Sequence, residues 1–113
     1  MSAPALSIQN AKLKVVPADT LNRSHLDEVR LVVGESRDQT RSALCNILKS
    51  IGFTRITAYD RIDQVRTRIA DNLADLVICD VDIEGGDIRS VIRDVRRQKI
   101  GTNPFIFVVC IAH

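Results

Sequence analysis

Four short strand-like runs, each separated from the next by a stretch of helical periodicity, restrict this chain to a small set of folds. The runs are Val29–Val33 (VRLVV), Arg55–Tyr59 (RITAY), Leu76–Cys79 (LVIC) and Phe105–Ala112 (FIFVVCIA). Between the first two, Ala43, Leu44, Ile47, Leu48 and Ile51 recur on one helical face, with Ser36 or Asp38 as the expected cap and Gly52 as the stop. Asp60 is the expected cap of a second helix that turns Ile62, Val65 and Ile69 inward. Asp87 caps a third, in which Ile88, Val91, Ile92 and Val95 fall on one face, and Asn103-Pro104 breaks it before the last run. The order β-α-β-α-β-α-β predicts an α/β domain with a parallel sheet of four strands, three helices and right-handed crossovers.

The alternation occupies residues 28–113, one domain's length. Residues 1–27, with Pro4, Pro17 and scattered polar residues, read as an N-terminal extension, flexible or folded back on the sheet. Within it Lys12–Val16 (KLKVV) alternates with the period of a strand. Aromatic residues make up only 4% of the chain, so the core is expected to be Val, Ile and Leu. A net charge of +2 is too small to argue for nucleic acid or an acidic membrane. No apolar stretch reaches transmembrane length, and the N-terminus lacks a secretory apolar core. Cys45, Cys79 and Cys110 form an odd set without paired spacing and read as buried reduced thiols, which predicts a cytoplasmic protein.

Two of the runs stop at an acid: VRLVV runs into Gly34-Glu35 and LVIC into Asp80. In an open parallel sheet, ligands bind outside the C-terminal ends of the strands. Two acids delivered there by different strands form an anionic pocket suited to a hard cation such as Mg²⁺. Other charged residues carry less. Arg89, Arg93, Arg96 and Arg97 lie opposite the third helix's apolar stripe and read as a solvated face. His25 and His113 have no partners at ligand spacing.

The segments VRLVVGESRDQTRSALCNILKSIGF, DLVICDVDIEGGDIRSVIRDVR and NPFIFVV together resemble a response-regulator receiver domain of two-component signalling, over residues 29–112. The resemblance implies a flavodoxin-like fold with sheet order 2-1-3-4-5, here truncated after the fourth strand and lacking the usual last strand and last two helices. It implies Asp80 as phospho-acceptor and metal ligand, Glu35 as the second carboxylate, and the Asp82 backbone carbonyl as a third ligand for Mg²⁺. Asp87 matches an acid often found where the following helix starts. A sensor histidine kinase or phosphotransfer protein is the implied phosphoryl donor. The implied function is a stand-alone, atypical response regulator of a phosphorelay that signals by protein–protein contact. It would be no enzyme beyond catalysing its own phosphoryl acceptance.

Departures from the family pattern are part of the reading. Gly34 stands where the family has its first acid, Glu35 is a methylene longer than the usual aspartate, and Glu84 replaces a usual proline. Ile111, before Ala112, falls where a phosphate-binding hydroxyl is expected, and the sequence ends before the family's lysine. These departures leave open a phosphorylation-independent pseudo-receiver acting as a dimerisation or kinase-binding module. A small Mg²⁺-dependent phosphohydrolase, resting on the Asp80-x-Asp82 match, is a third reading.

On this alignment FIFVVCIA is an edge strand, yet its unbroken apolarity is that of a strand covered on both faces. Fully burying one Val, Ile or Phe gains about 1.5–3 kcal/mol, so leaving three exposed forfeits roughly 5–9 kcal/mol, comparable with the stability of a domain. Leu13, Val15 and Val16 can supply the cover in cis, or a second copy in trans. The favoured expectation is a homodimer through the terminal-strand edge, with neither nucleic acid nor membrane as partner.

Overall fold

Val and Ile are stiff at χ1 and pack well on a pleated surface, which favours extended backbone. In the computed structural model, which describes residues 25–112, each strand-like run forms a strand: β1 (Arg30–Gly34), β2 (Arg55–Tyr59), β3 (Leu76–Asp80) and β4 (Phe107–Ile111). The helices are α1 (Asp38–Ile51), α2 (Ile62–Ala70) and α3 (Ile88–Arg96). All pairings are parallel, in the order β2-β1-β3-β4. This is the order expected of the first four strands of a receiver sheet. Nearly all of the N-terminal extension, including KLKVV, and His113 lie outside the described residues.

Strand alternation divides the core between the two sheet faces. On one face Val32, Val77 and Cys79 meet Ile62, Val65 and Ile69 of α2 and Ile88, Val91 and Val95 of α3, with Ile92 half-buried at the margin. On the other face Leu31 and Val33 meet Leu48 of α1 and Phe53, with Leu26, Leu44, Leu76 and Ile78 partly buried around them. Of the three described helices, α1 is the one on this second face. Its predicted inward stripe is only partly covered. Leu48 is buried and Leu44 half-buried, whereas Ala43, Ile47 and Ile51 are exposed, because the stripe is wider than its contact with β1 and β2.

Among the described residues β4 is the sheet edge. Its register pairs Leu76↔Phe107 and Ile78↔Val109, so Phe107 and Val109 share the α1 face, where they are 75% and 49% exposed. Val108 faces the other way and packs against the α2/α3 core. The strand begins two residues later than the apolar run, since the Asn103 side chain takes the Phe105 N–H at 2.9 Å in a local turn.

Three expectations are corrected. Neither Ser36 nor Asp38 caps α1: Arg37 holds the cap position without a side-chain capping bond, Ser36 is engaged by two other loops, and Asp38 pairs with Arg41 at 2.7 Å. Asp60 does not cap α2, where Arg61 holds that position, also without a side-chain capping bond. The thiols are not uniformly buried, for Cys79 is buried, Cys45 intermediate and Cys110 exposed. By contrast Asp87 does cap α3, accepting the Arg89 N–H at 2.9 Å, and Gly52 ends α1 at φ 133°. Arg89, Arg93, Arg96 and Arg97 are exposed as expected. Among the described residues no helix is long and apolar enough to cross a membrane.

Candidate acidic site at the strand ends

Register brings the two acids together. β1 and β3 pair from Leu31↔Leu76 to Gly34↔Cys79, so the next step sets Glu35 abreast of Asp80. Both are buried, at 1% and 3% exposure. Neighbouring strands lie about 4.8 Å apart, and two carboxylates that close repel unless a positive charge intervenes.

Arg37 supplies that charge from the turn after β1. Its Nε donates to Glu35 Oε2 at 3.1 Å, and its Nη2 reaches Asp80 Oδ2 at 3.1 Å and Glu35 Oε1 at 3.4 Å. Its backbone N–H also donates to Glu35 Oε2, at 3.0 Å. Hydrogen bonding to Glu35 is the main cause that raises the Arg37 guanidinium above its ordinary pKa. The other Asp80 oxygen accepts the Asp82 N–H at 3.0 Å. Glu35 is fixed through its backbone as well: its N–H donates to the Tyr59 carbonyl, and its carbonyl accepts from Arg41.

Ser36 ties the surrounding loops. Its hydroxyl donates to the Asp60 carbonyl and accepts the Glu84 N–H, each at 2.8 Å. The Glu84 carbonyl in turn accepts from Ile62 at 2.9 Å. The position where the family has proline is thus a junction between the loops after β2 and β3. Gly85, at φ 96°, allows the chain to pass there, where a Cβ would lie 2.9 Å from Arg61 Nη2.

The resulting cleft has a volume of about 250 Å³ and is lined by Glu35, Ser36, Arg37, Asp80, Asp82 and Glu84. Asp87 is not in the lining and serves its helix cap instead. A larger cleft, about 370 Å³, opens at the other end of the sheet between Arg30, Thr54, Arg55 and Arg68, with no acid in its lining. Burial pushes the Cys79 thiol up to about 12, which removes it as a nucleophile near neutral pH.

The altered family positions have structural consequences. A Cβ on Gly34 would lie 2.9 Å from both Cys79 Sγ and Ile83 Cδ1 and 3.0 Å from Val65 Cγ2, so apolar packing closes that place. Ile111 pairs with Asp80 in the register and brings no hydroxyl there. Mg²⁺ commonly takes one or two protein carboxylates and keeps several waters. Glu35 and Asp80 supply that donor type, although among the described residues no three His, Cys, Asp or Glu side chains converge. The donors suit the ion, but a guanidinium already spans both of them.

Sequence reasoning located Glu35, Asp80 and Asp82 but missed Arg37 and Ser36. An arginine two residues after an acid is an ordinary surface pattern, and its return across to Asp80 depends on strand register.

No family model and no curated protein matches the chain. Among solved structures it is similar to the MaeR response regulator bound to beryllium trifluoride, at 23% identity and TM-score 0.60, over 73% of this chain and 65% of that one. It is also similar to a mutant MaeR response regulator bound to sulfate, at 21% identity and TM-score 0.62, over 74% of this chain and 66% of that one. The match extends over less than two thirds of either MaeR chain. The likeness is one of fold: the described residues have a receiver-like, flavodoxin-like α/β arrangement of four parallel strands and three helices.

Proposed function

We propose that this chain is an atypical receiver module of two-component signalling, in which Asp80 accepts a phosphoryl group from a histidine kinase or phosphotransfer protein. The observation that carries the reading is the pair of buried carboxylates, Glu35 and Asp80, abreast at the C-terminal ends of adjacent parallel strands. An Asp80 carboxylate oxygen forms the new O–P bond, the P–N bond of the phosphohistidine breaks, and the imidazole nitrogen takes the electron pair. Glu35, Asp80 and the Asp82 carbonyl would hold Mg²⁺, which when bound neutralises charge on the phosphoryl oxygens. The module works in the cytoplasm, signals by protein–protein contact, and catalyses nothing beyond its own phosphoryl acceptance. The exposed Phe107 and Val109 on edge strand β4 support a homodimer through that edge.

One observation favours a second reading. Arg37 bridges both acids and offsets half of their charge without any added ion, which suits a phosphorylation-independent pseudo-receiver that dimerises or binds a kinase. Intact mass spectrometry after incubation with MgCl₂ and phosphoramidate separates the two. A single phosphoryl adduct, lost in Asp80→Asn, is expected. A chain that takes up no phosphoryl group refutes acceptance and leaves the pseudo-receiver.

A further inference from the structure

The acidic cleft contains its own cation, and the parts of that ion pair differ in exposure. The Glu35 and Asp80 side chains are 1% and 4% exposed, whereas the Arg37 side chain is 52% exposed. The acids are fixed by strand backbone and core, while the guanidinium stands at the cleft mouth on a long stem. Because the Arg37 N–H already bonds Glu35, returning the side chain to the same carboxylate closes only a short local loop. Arg41, the other arginine nearby, is held elsewhere, by the Glu35 carbonyl and Asp38.

We propose that Arg37 is the resident counter-ion of this cleft: its guanidinium holds the place between Glu35 and Asp80, and Mg²⁺ enters only by displacing it. The inference deepens the cation site of the proposed function and rests on that reading. Three features support it. One guanidinium reaches both carboxylates, at 3.1 Å each. Apolar packing leaves no room for an acid at Gly34, so the two buried carboxylates share the one guanidinium, which offsets half of their charge. An arginine remains charged throughout the accessible pH range, so the guard never titrates away.

The test measures Mn²⁺ binding by electron paramagnetic resonance on the unmodified chain, Arg37→Ala and Arg37→Gln, with thermal unfolding in MgCl₂ alongside. Both variants are expected to bind Mn²⁺ at least tenfold more tightly than the unmodified chain. They should also gain thermal stability from Mg²⁺ where the unmodified chain gains little. Arg37→Gln keeps hydrogen-bond donors while losing the charge, and carries the test if Arg37→Ala fails to fold. Equal affinities, or no binding by any of the three, overturn the proposal. Neither readout involves a phosphodonor. A phosphoryl adduct without the metal gain therefore refutes the counter-ion alone, and a metal gain without an adduct refutes phosphoryl acceptance alone.

Discussion

Restoring the acid that the receiver pattern has at position 34 should damage this protein rather than repair its site. The Cβ of Gly34→Ala would meet three side-chain atoms at 2.9 to 3.0 Å. Ile83 Cδ1 is the end of a flexible side chain and can turn away, but Val65 Cγ2 belongs to a stiff β-branched residue and Cys79 Sγ to a short one. Overpacking of this kind costs about 1–3 kcal/mol. The lower entropy of the unfolded alanine chain returns about 0.4–1 kcal/mol, so a net loss centred on about 1.3 kcal/mol, and at most about 2.6 kcal/mol, is expected. Urea unfolding followed by circular dichroism should show a lower midpoint with an unchanged slope, and the melting temperature should drop by about 4–8 °C for each kcal/mol. Gly34→Asp should fare worse. Residue 34 follows Val32 in the alternation and points to the α2/α3 core, while Arg37 serves the carboxylates of the opposite parity. An uncompensated buried charge costs about 3–5 kcal/mol more, which brings the loss close to a domain's whole stability. A Gly34→Ala chain as stable as the original would refute the packing argument.

Two further outcomes follow from exposed and paired groups. Light scattering should report a dimer for the unmodified chain and a monomer of unchanged fold for Phe107→Glu on β4; a monomeric unmodified chain would end the edge-pairing proposal. Hydrogen bonding from Arg30 holds the Asp75 carboxyl below its ordinary pKa, so the stability it contributes is present above about pH 4 and is lost as pH falls through the lowered native value. Asp75→Asn should therefore flatten the decline of stability with acid in that window, and an unchanged slope would show that the pair is not linked to folding.

The strands and helices were legible because their periods differ and Gly and Pro punctuate them. The inward residues of α2, Ile62, Val65 and Ile69, are all buried as the pattern required. Apolar pattern, however, records a preference for cover rather than the cover itself, which is why Ile47 and Ile51 read as inward yet are exposed. Ser36 shows a second limit. A serine before a helix reads as a cap, but its partners are Asp60, 24 residues away, and Glu84, 48 residues away. Only the folded sheet brings those loops together. Strand-end acids were legible for the opposite reason, since a run's last residue and its position at the sheet's rim are both local facts.

Cleft electrostatics ties the altered positions to one another. Of six lining residues four are acids and Arg37 is the cation, while Ile111 brings no hydroxyl beside Asp80. A phosphoryl group entering such a cleft meets a field of its own sign, and removing Arg37 without replacement would strengthen that field. The guanidinium cannot both neutralise the carboxylates and be fully available to an incoming phosphoryl group. Phosphoryl acceptance at Asp80 thus requires positive charge beyond Arg37, whereas a pseudo-receiver requires none. The identity of the charge between Glu35 and Asp80, rather than the presence of Asp80, is what divides the two readings.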